Sequence, residues 1–206
     1  PDYKARIEDA TLKGSFATGD LSDPKSSSLV LNGIKGKLNN ESFECDFILN
    51  NFTDPEVICN FKGTLDAPAL LEFYPLDNVS DITGKLTADV NFSGKTSLLK
   101  NKETAQRVET RGTIDLTDIS FLYGKEKIPV KDLNGSFQFN KNDLALSDVS
   151  GKLGRSDFLL NGFFKNVVTY VLFENQPIGI ETDLQSQFVD VDGLCGLAFG
   201  TADDPS

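Results

Sequence analysis

The sequence of 206 residues contains no histidine, no methionine and no tryptophan. Without histidine, a catalytic triad or dyad built on imidazole is excluded, and so is any metal site that depends on imidazole ligands. Gly-x-Ser-x-Gly, phosphate-loop and dinucleotide-binding motifs are also missing from the sequence. These absences remove the commonest classes of enzyme, and we expect a non-catalytic protein.

Cysteine is also scarce, with three residues that lack the Cys-x-x-Cys spacing of a zinc site. Cys45 and Cys59 come together if residues 50–54 form a hairpin turn, so a disulfide is geometrically conceivable. The alternative role for each of them is that of a small buried hydrophobic side chain. Cys195 has no evident partner. We therefore expect neither a bound metal nor another cofactor.

Acidic residues are plentiful, at 31, and a pair of carboxylates is the remaining route to catalysis, as in a glycosidase. Asp190 and Asp192 are close in sequence, as are Asp203 and Asp204, but nothing distinguishes them from turn and surface acids. The stretch from Asp190 to Gly193 lacks the remaining oxygen ligands of a calcium loop. We expect ordinary surface acids at these positions.

The charge and hydropathy patterns exclude two further classes. The formal net charge is -11, and the lysines and arginines are scattered, whereas nucleic-acid binding needs a concentrated basic surface. No apolar run approaches the ~20 residues of a membrane span, and no signal sequence opens the chain. The lack of any methionine predicts a fragment or processed product, whose targeting segment lies outside this sequence.

What the sequence does contain is alternation of apolar and polar residues with a period of two. Phenylalanine dominates the apolar set with 16 copies. The pattern is clearest at residues 43–49 and 86–92, and it recurs with Gly, Asn and Asp between the segments. This spacing predicts an all-β fold with antiparallel strands, arranged as a meander or a two-layer sandwich.

Helical signals are confined to two short stretches. In the first, Asp66–Tyr74, Asp66 is a plausible N-cap and Pro68 lies in the first turn. The second, Asn166–Phe173, is rich in valine and suits a strand as well. Residues 96–106 are polar and lack alternation, which predicts a loop that includes at most a helical turn.

The two halves of the chain resemble each other. Several similar residues recur 99 positions apart: Gly36 and Gly135, Gly63 and Gly162, Leu65 and Phe164, Ala69 and Val168, Tyr74 and Phe173. This offset predicts an internal duplication, with one β unit at residues 1–95, a linker at 96–107 and a second β unit at 108–206.

The most specific strings lie in the second half. They are Gly112–Tyr123, Ile128–Phe137 and Leu144–Asn166, the last containing Gly-Lys-Leu-Gly, Ser-Asp-Phe and Asn-Gly-Phe-Phe in order. Over residues 110–195 this order resembles the C-terminal region of AsmA-like proteins of the Bacteroidetes type. The first half is covered only through the internal repeat, and none of these motifs is catalytic.

The resemblance implies an elongated, curved antiparallel sheet with a hydrophobic groove, as in the related TamB and chorein-type bridge proteins. It implies a periplasmic module of an envelope protein that is anchored in the inner membrane through segments outside this chain. The implied role is phospholipid transport or outer-membrane assembly, with phospholipid or another acyl-chain lipid and envelope proteins as partners.

An apolar sheet face must be covered by a second layer or by a ligand, and acyl chains would suit it. The candidate groove residues are Phe43, Phe47, Phe137, Phe139, Leu144, Leu146, Phe158 and Leu160. The alternative is that these eight residues form an ordinary closed core. The alternative function is a structural or adhesive domain that binds a protein or glycan at the cell surface. An open groove lined by aromatic residues would favour lipid, and a closed core with exposed loop aromatics would favour adhesion.

Overall fold

A computed structural model describes residues 7–73, 76, 78–99, 102–105, 107–172 and 177–192. These residues form a single antiparallel sheet of ten strands, and each strand pairs with the next along the chain. The sheet is curved and is not closed into a barrel, so the predicted all-β antiparallel fold is confirmed. The strands are β1 (Ile7–Ala17), β2 (Ser28–Leu38), β3 (Glu41–Asn50), β4 (Glu56–Asp66), β5 (Val79–Lys95), β6 (Glu109–Tyr123), β7 (Ile128–Asn140), β8 (Asp143–Leu153), β9 (Ser156–Lys165) and β10 (Gly179–Gln185).

Tight turns between consecutive strands explain why the sheet is a meander. Asn39 and Asn40 form the two-residue connection between β2 and β3, and their φ angles are 49° and 67°. Two consecutive positive φ values are characteristic of the type I′ turn, which matches the twist of the flanking strands. Asparagine tolerates this conformation better than most residues. The local sequence therefore directs the chain back onto its neighbour.

Six strands contain a β-bulge of the same form, at a four-residue segment that reads apolar-x-Asp/Gly-apolar. The third residue of each segment has a φ between 49° and 59°, and the register shifts there. Because one extra residue is inserted, the apolar residues on either side of the bulge stay on the same face. The third residues are Asp9, Gly33, Asp81, Asp118, Asp132 and Asp148.

Side chains from neighbouring strands accept hydrogen bonds from the bulges. Asp46 Oδ1 accepts from the backbone N–H of Gly33 at 2.7 Å. Asn161 Oδ1 accepts from the N–H of Asp148 at 2.8 Å. The N–H of each bulged residue leaves the regular ladder, so these side chains supply the partner that the ladder does not.

Four short α-helices lie in the described part of the chain: α1 (Ala67–Phe73), α2 (Thr96–Leu99), α3 (Lys102–Ala105) and α4 (Val167–Leu172). α1 confirms the first helical prediction, and α4 decides the valine-rich stretch in favour of a helix. The expected loop at 96–106 is more helical than predicted, since it contains α2 and α3. The predicted ends at Tyr74 and Phe173 lie outside the described residues. No helix among those described is long and apolar enough to span a membrane.

Apart from a 3-10 helix at Pro24–Ser26 in the first half, both halves of the chain have the same order of elements, namely four strands, a short α-helix and a fifth strand. The paired glycines follow this order, because Gly36 and Gly135 lie in β2 and β7, and Gly63 and Gly162 lie in β4 and β9. The predicted linker at 96–107 falls between β5 and β6, and these two strands pair directly. The division into two repeat units stays a prediction, which the common order supports.

Candidate functional site

One side of the sheet carries an almost continuous apolar surface, which we call the apolar face. Residues that are paired across neighbouring strands lie on the same side. One such row crosses nine strands: Ile34, Cys45, Phe61, Val90, Gly112, Phe139, Leu144, Phe164 and Ile180. A second row runs beside it: Gly36, Phe43, Gly63, Ala88, Ile114, Phe137, Leu146, Gly162 and Thr182.

All eight predicted groove residues lie on the apolar face. Leu144 and Leu146 are buried, with 7% and 5% of their surface exposed. The other six, Phe43, Phe47, Phe137, Phe139, Phe158 and Leu160, are half-buried. Half-burial is what side chains acquire when they pack on their neighbours in one layer, whereas the core of a two-layer sandwich is fully buried. Contact of these residues with lipid stays a prediction.

The opposite face of the sheet carries a charged row across β2 to β5. Lys35, Glu44, Lys62 and Asp89 form one cross-strand row. Within it, Lys35 Nζ lies 2.7 Å from Glu44 Oε1, and Lys62 Nζ lies 2.8 Å from Asp89 Oδ2. These ion pairs are largely exposed, so they contribute little to stability. They keep this face in water and leave the apolar face as the surface that needs a cover.

Phenylalanine rings pack over glycines on the apolar face. Phe43 lies between Gly36 and Gly63 in the cross-strand row, and its ring stacks on that of Phe61 with a centroid distance of 6.1 Å. A Cβ added to Gly63 would lie 2.6 Å from Phe43 Cα and 2.7 Å from the carbonyl oxygen of Ser42. The close approach of the strands therefore depends on glycine at position 63.

Cys45 and Cys59 lie on the apolar face in adjacent strands. Cys45 pairs with Phe61 and Cys59 pairs with Phe47, so the two thiols are diagonal neighbours and not directly opposite. Both cysteines are free and half-buried, which does not support the conceivable disulfide. Burial, reinforced by the neighbouring Cys59, raises the pKa of Cys45 to about 11. Cys195 lies outside the described residues.

Three short helices close the apolar face at one end of the sheet. Helices α2 and α3 follow β5, and α4 follows β9; odd-numbered strands run in the same direction, so all three lie at one end. We call them the helical cap. Leu99, Ala105 and Val108 are at most 2% exposed and form its core, against which Phe92 of the apolar face and Val168 of α4 pack.

A buried network of polar side chains holds α4 in the cap. Asn142, in the turn between β7 and β8, is 0% exposed. Its Oδ1 accepts from both the backbone N–H and the hydroxyl of Thr169, each at 2.9 Å. Its Nδ2 donates to Asn166 Oδ1 at 3.2 Å. Asn166, whose φ is 63°, therefore contributes its side chain to this network.

Thr110 is exceptional among the buried polar residues. It is 4% exposed and lies on the apolar face, where it pairs with Phe92. Its hydroxyl has no hydrogen-bond partner, while Asn142 and Thr169 are satisfied. Sequence reasoning did not single it out, because threonine is common in strands.

The apolar face extends to both edges of the sheet. On β1, Ile7, Leu12 and Phe16 are between 51% and 60% exposed. On β10, Ile180 and Leu184 are 58% and 65% exposed. Edge strands of ordinary domains are usually protected by charge or by a covering loop. These two edges instead carry the same apolar pattern as the strands between them.

Of the acidic residues considered for catalysis, Asp190 has contacts of another kind. Asp190 Oδ2 lies 3.7 Å from Arg155 Nε, and the Asp190 backbone N–H donates to Ser156 Oγ. Asp192 is exposed, and Asp203 and Asp204 lie outside the described residues. Within the described ranges, no group of three or more His, Cys, Asp or Glu side chains could hold a metal ion.

Comparison with protein-family models, with curated proteins and with solved structures finds no match. The resemblance to AsmA-like proteins therefore stays a prediction.

Proposed function

We propose that this chain is a non-catalytic lipid-handling module whose apolar face holds acyl chains. In the setting that the AsmA resemblance implies, it works in the periplasm as part of an envelope protein anchored in the inner membrane. Its role there is phospholipid transport or support of outer-membrane assembly, together with other envelope proteins.

The observation that carries this proposal is an apolar face that spans ten strands on an open, curved sheet. The face is half-buried at its centre and exposed at both edges. Each methylene that moves from water onto such a surface contributes about 0.8 kcal/mol. An acyl chain carries enough methylenes to outweigh the loss of freedom on binding.

The charge of the chain bears on the kind of lipid. With a net charge of -11, long-range electrostatics oppose the approach of anionic headgroups. The affinity must therefore come from the acyl chain, and zwitterionic lipids are favoured over acidic ones at low salt.

The alternative function, a structural or adhesive domain, has one observation in its favour. Phe163 on the polar side of β9 and Phe188 after β10 are 56% and 52% exposed, as aromatic residues at a protein interface would be in the free state. They are separate from one another, whereas the apolar face is continuous. The lipid proposal therefore accounts for more of the apolar surface.

Native mass spectrometry of detergent-free protein, with lipid extraction from the same sample, tests the proposal. We expect co-purifying phospholipid, which is lost in Phe137→Ser and Phe158→Ser variants that keep the wild-type circular dichroism spectrum. Phe163→Ser is the matched control, since Phe163 lies in β9 with Phe158 but points to the other face. Lipid-free protein that also fails to take up added lysophospholipid would favour the structural role.

A second test uses the wild-type protein, so no residue of the apolar face is changed. Because Cys45 and Cys59 lie within it, a bound acyl chain should cover both thiols. We expect a lysophospholipid to slow their alkylation at constant pH. Equal alkylation rates with and without bound lipid would place the ligand elsewhere.

A further inference from the structure

We infer that the hydroxyl of Thr110 is the polar contact for the carbonyl group of an acyl-chain ligand. This inference rests on the proposed function and specifies one position within the same site. The carbonyl end of the ligand would then bind at the end of the apolar face that the helical cap closes.

The position of Thr110 favours such a contact. It belongs to a cross-strand row whose other members are apolar: Leu31, Phe47, Cys59 and Phe92. The next residue of β6 on the same face is Gly112, which has no side chain, with Phe139 beside it on β7. A ligand on the apolar face can therefore lie against Gly112 beside Thr110, and it reaches the buried hydroxyl by displacing the side chains that cover it.

The hydrogen-bonding state of Thr110 separates it from the other buried polar residues. Buried hydroxyl groups normally have a partner, because an unpaired one forfeits its bonds to water. Five other buried polar side chains have partners: Ser27, Asn142, Ser156, Asn166 and Thr169. Thr110 Oγ1 alone among the described buried side-chain atoms has none. Valine would fill the same space without the cost of an unpaired hydroxyl, so the presence of threonine indicates that the hydroxyl has a function.

The chemistry of the ligand follows from the donor. A hydroxyl in apolar surroundings donates best to an acceptor that arrives with an apolar chain, and an acyl carbonyl is such an acceptor. The cap helices are four and six residues long. Helices this short depend on packing for their stability, so a ligand that replaces this packing can occupy the space beside Thr110.

The test compares two probes that differ by a single carbonyl, namely 1-palmitoyl-lysophosphatidylcholine and its 1-O-hexadecyl ether analogue. Binding is measured by calorimetry below the critical micelle concentration. Wild-type protein should bind the ester about 3- to 10-fold more tightly, which corresponds to one hydrogen bond. Thr110→Val should lose this preference, and Thr110→Ser should retain it.

Thermal unfolding separates this role from a structural one. Thr110→Val should not lower Tm, because no hydrogen bond is removed. Thr169→Val, a matched buried threonine whose hydroxyl bonds to Asn142, should lower it. If both probes bind equally to wild-type protein, or if Thr110→Val keeps the preference, the assignment of Thr110 is wrong and the lipid proposal stands. If neither probe binds, both proposals fail.

Discussion

The Asn142 network offers a direct test of how the helical cap is held on the sheet. Asn142→Ala removes the side chain that accepts two hydrogen bonds from Thr169 and donates one to Asn166. All three residues are buried, so their remaining polar groups lose their partners without regaining bulk water.

The expected cost follows from counting these bonds. At about 1 kcal/mol for each of the hydrogen bonds lost, the free energy of unfolding should fall by about 3 kcal/mol. For a chain of this length, that corresponds to a decrease in Tm of about 6–12 °C. Asn140→Ala, at an exposed position in the same turn region, should change stability by less than about 0.5 kcal/mol.

The assay is urea unfolding followed by circular dichroism, combined with a double-mutant cycle between Asn142→Ala and Thr169→Val. Because the Thr169 hydroxyl bonds to Asn142, the two losses should not add, and the coupling should be about 1 kcal/mol. Strict additivity, or a loss no larger than that of Asn140→Ala, would refute the view that this network anchors α4.

Three further predictions concern other parts of the sheet. Gly63→Ala should destabilise the fold by about 1–3 kcal/mol, since its Cβ would collide with the backbone of Phe43; urea unfolding measures this. In a variant with Cys45 as its sole cysteine, burial alone should keep the pKa of the thiol above 9.0 but, without Cys59, below the value of about 11 in the intact protein, so the alkylation rate should keep rising above pH 9. The backbone N–H groups of residues 187 and 188 donate hydrogen bonds to the Asp157 carboxylate and lower its pKa from 3.8. These hydrogen bonds should therefore persist above pH 3.8 and be lost as the pH falls through the lowered pKa. The amide NMR signals of those two residues report on the loss.

Each of these has a control or a contrary outcome. Gly14→Ala should be mild, because its Cβ would come closest to the end of the Leu31 side chain, at 3.0 Å, and would stay 3.6 Å from the nearest backbone atom, the carbonyl oxygen of Val30. An equal loss for the two glycine variants would contradict the packing argument. A Cys45 alkylation rate that levels off near pH 9 would show an unperturbed thiol. Amide signals at residues 187 and 188 that titrate at or above pH 3.8 would be inconsistent with the described hydrogen bonds to Asp157.

Much of the fold was predictable because a strand alternates its side chains with a period of two. Six of the eight groove candidates came from that alternation, while Phe158 and Leu160 came from the Leu144–Asn166 string, and all eight lie on one face. The alternation breaks where Leu116 and Ile119 are three residues apart, and only the structure shows that the bulge at Asp118 restores them to the same face. The two glycine pairs of the predicted duplication likewise fall in strands with a common order.

The sequence by itself determined the strands, their turns and which residues share a face, because these depend on local alternation and backbone preference. It left open a meander or a sandwich, since both bury the same alternating residues. Only the tertiary structure decided that the sheet is one open, curved layer. It also decided that Cys45 and Cys59 are diagonal and that Thr110 is buried without a partner. Such features depend on strand register and on helices that are distant in sequence, and local patterns do not encode these contacts.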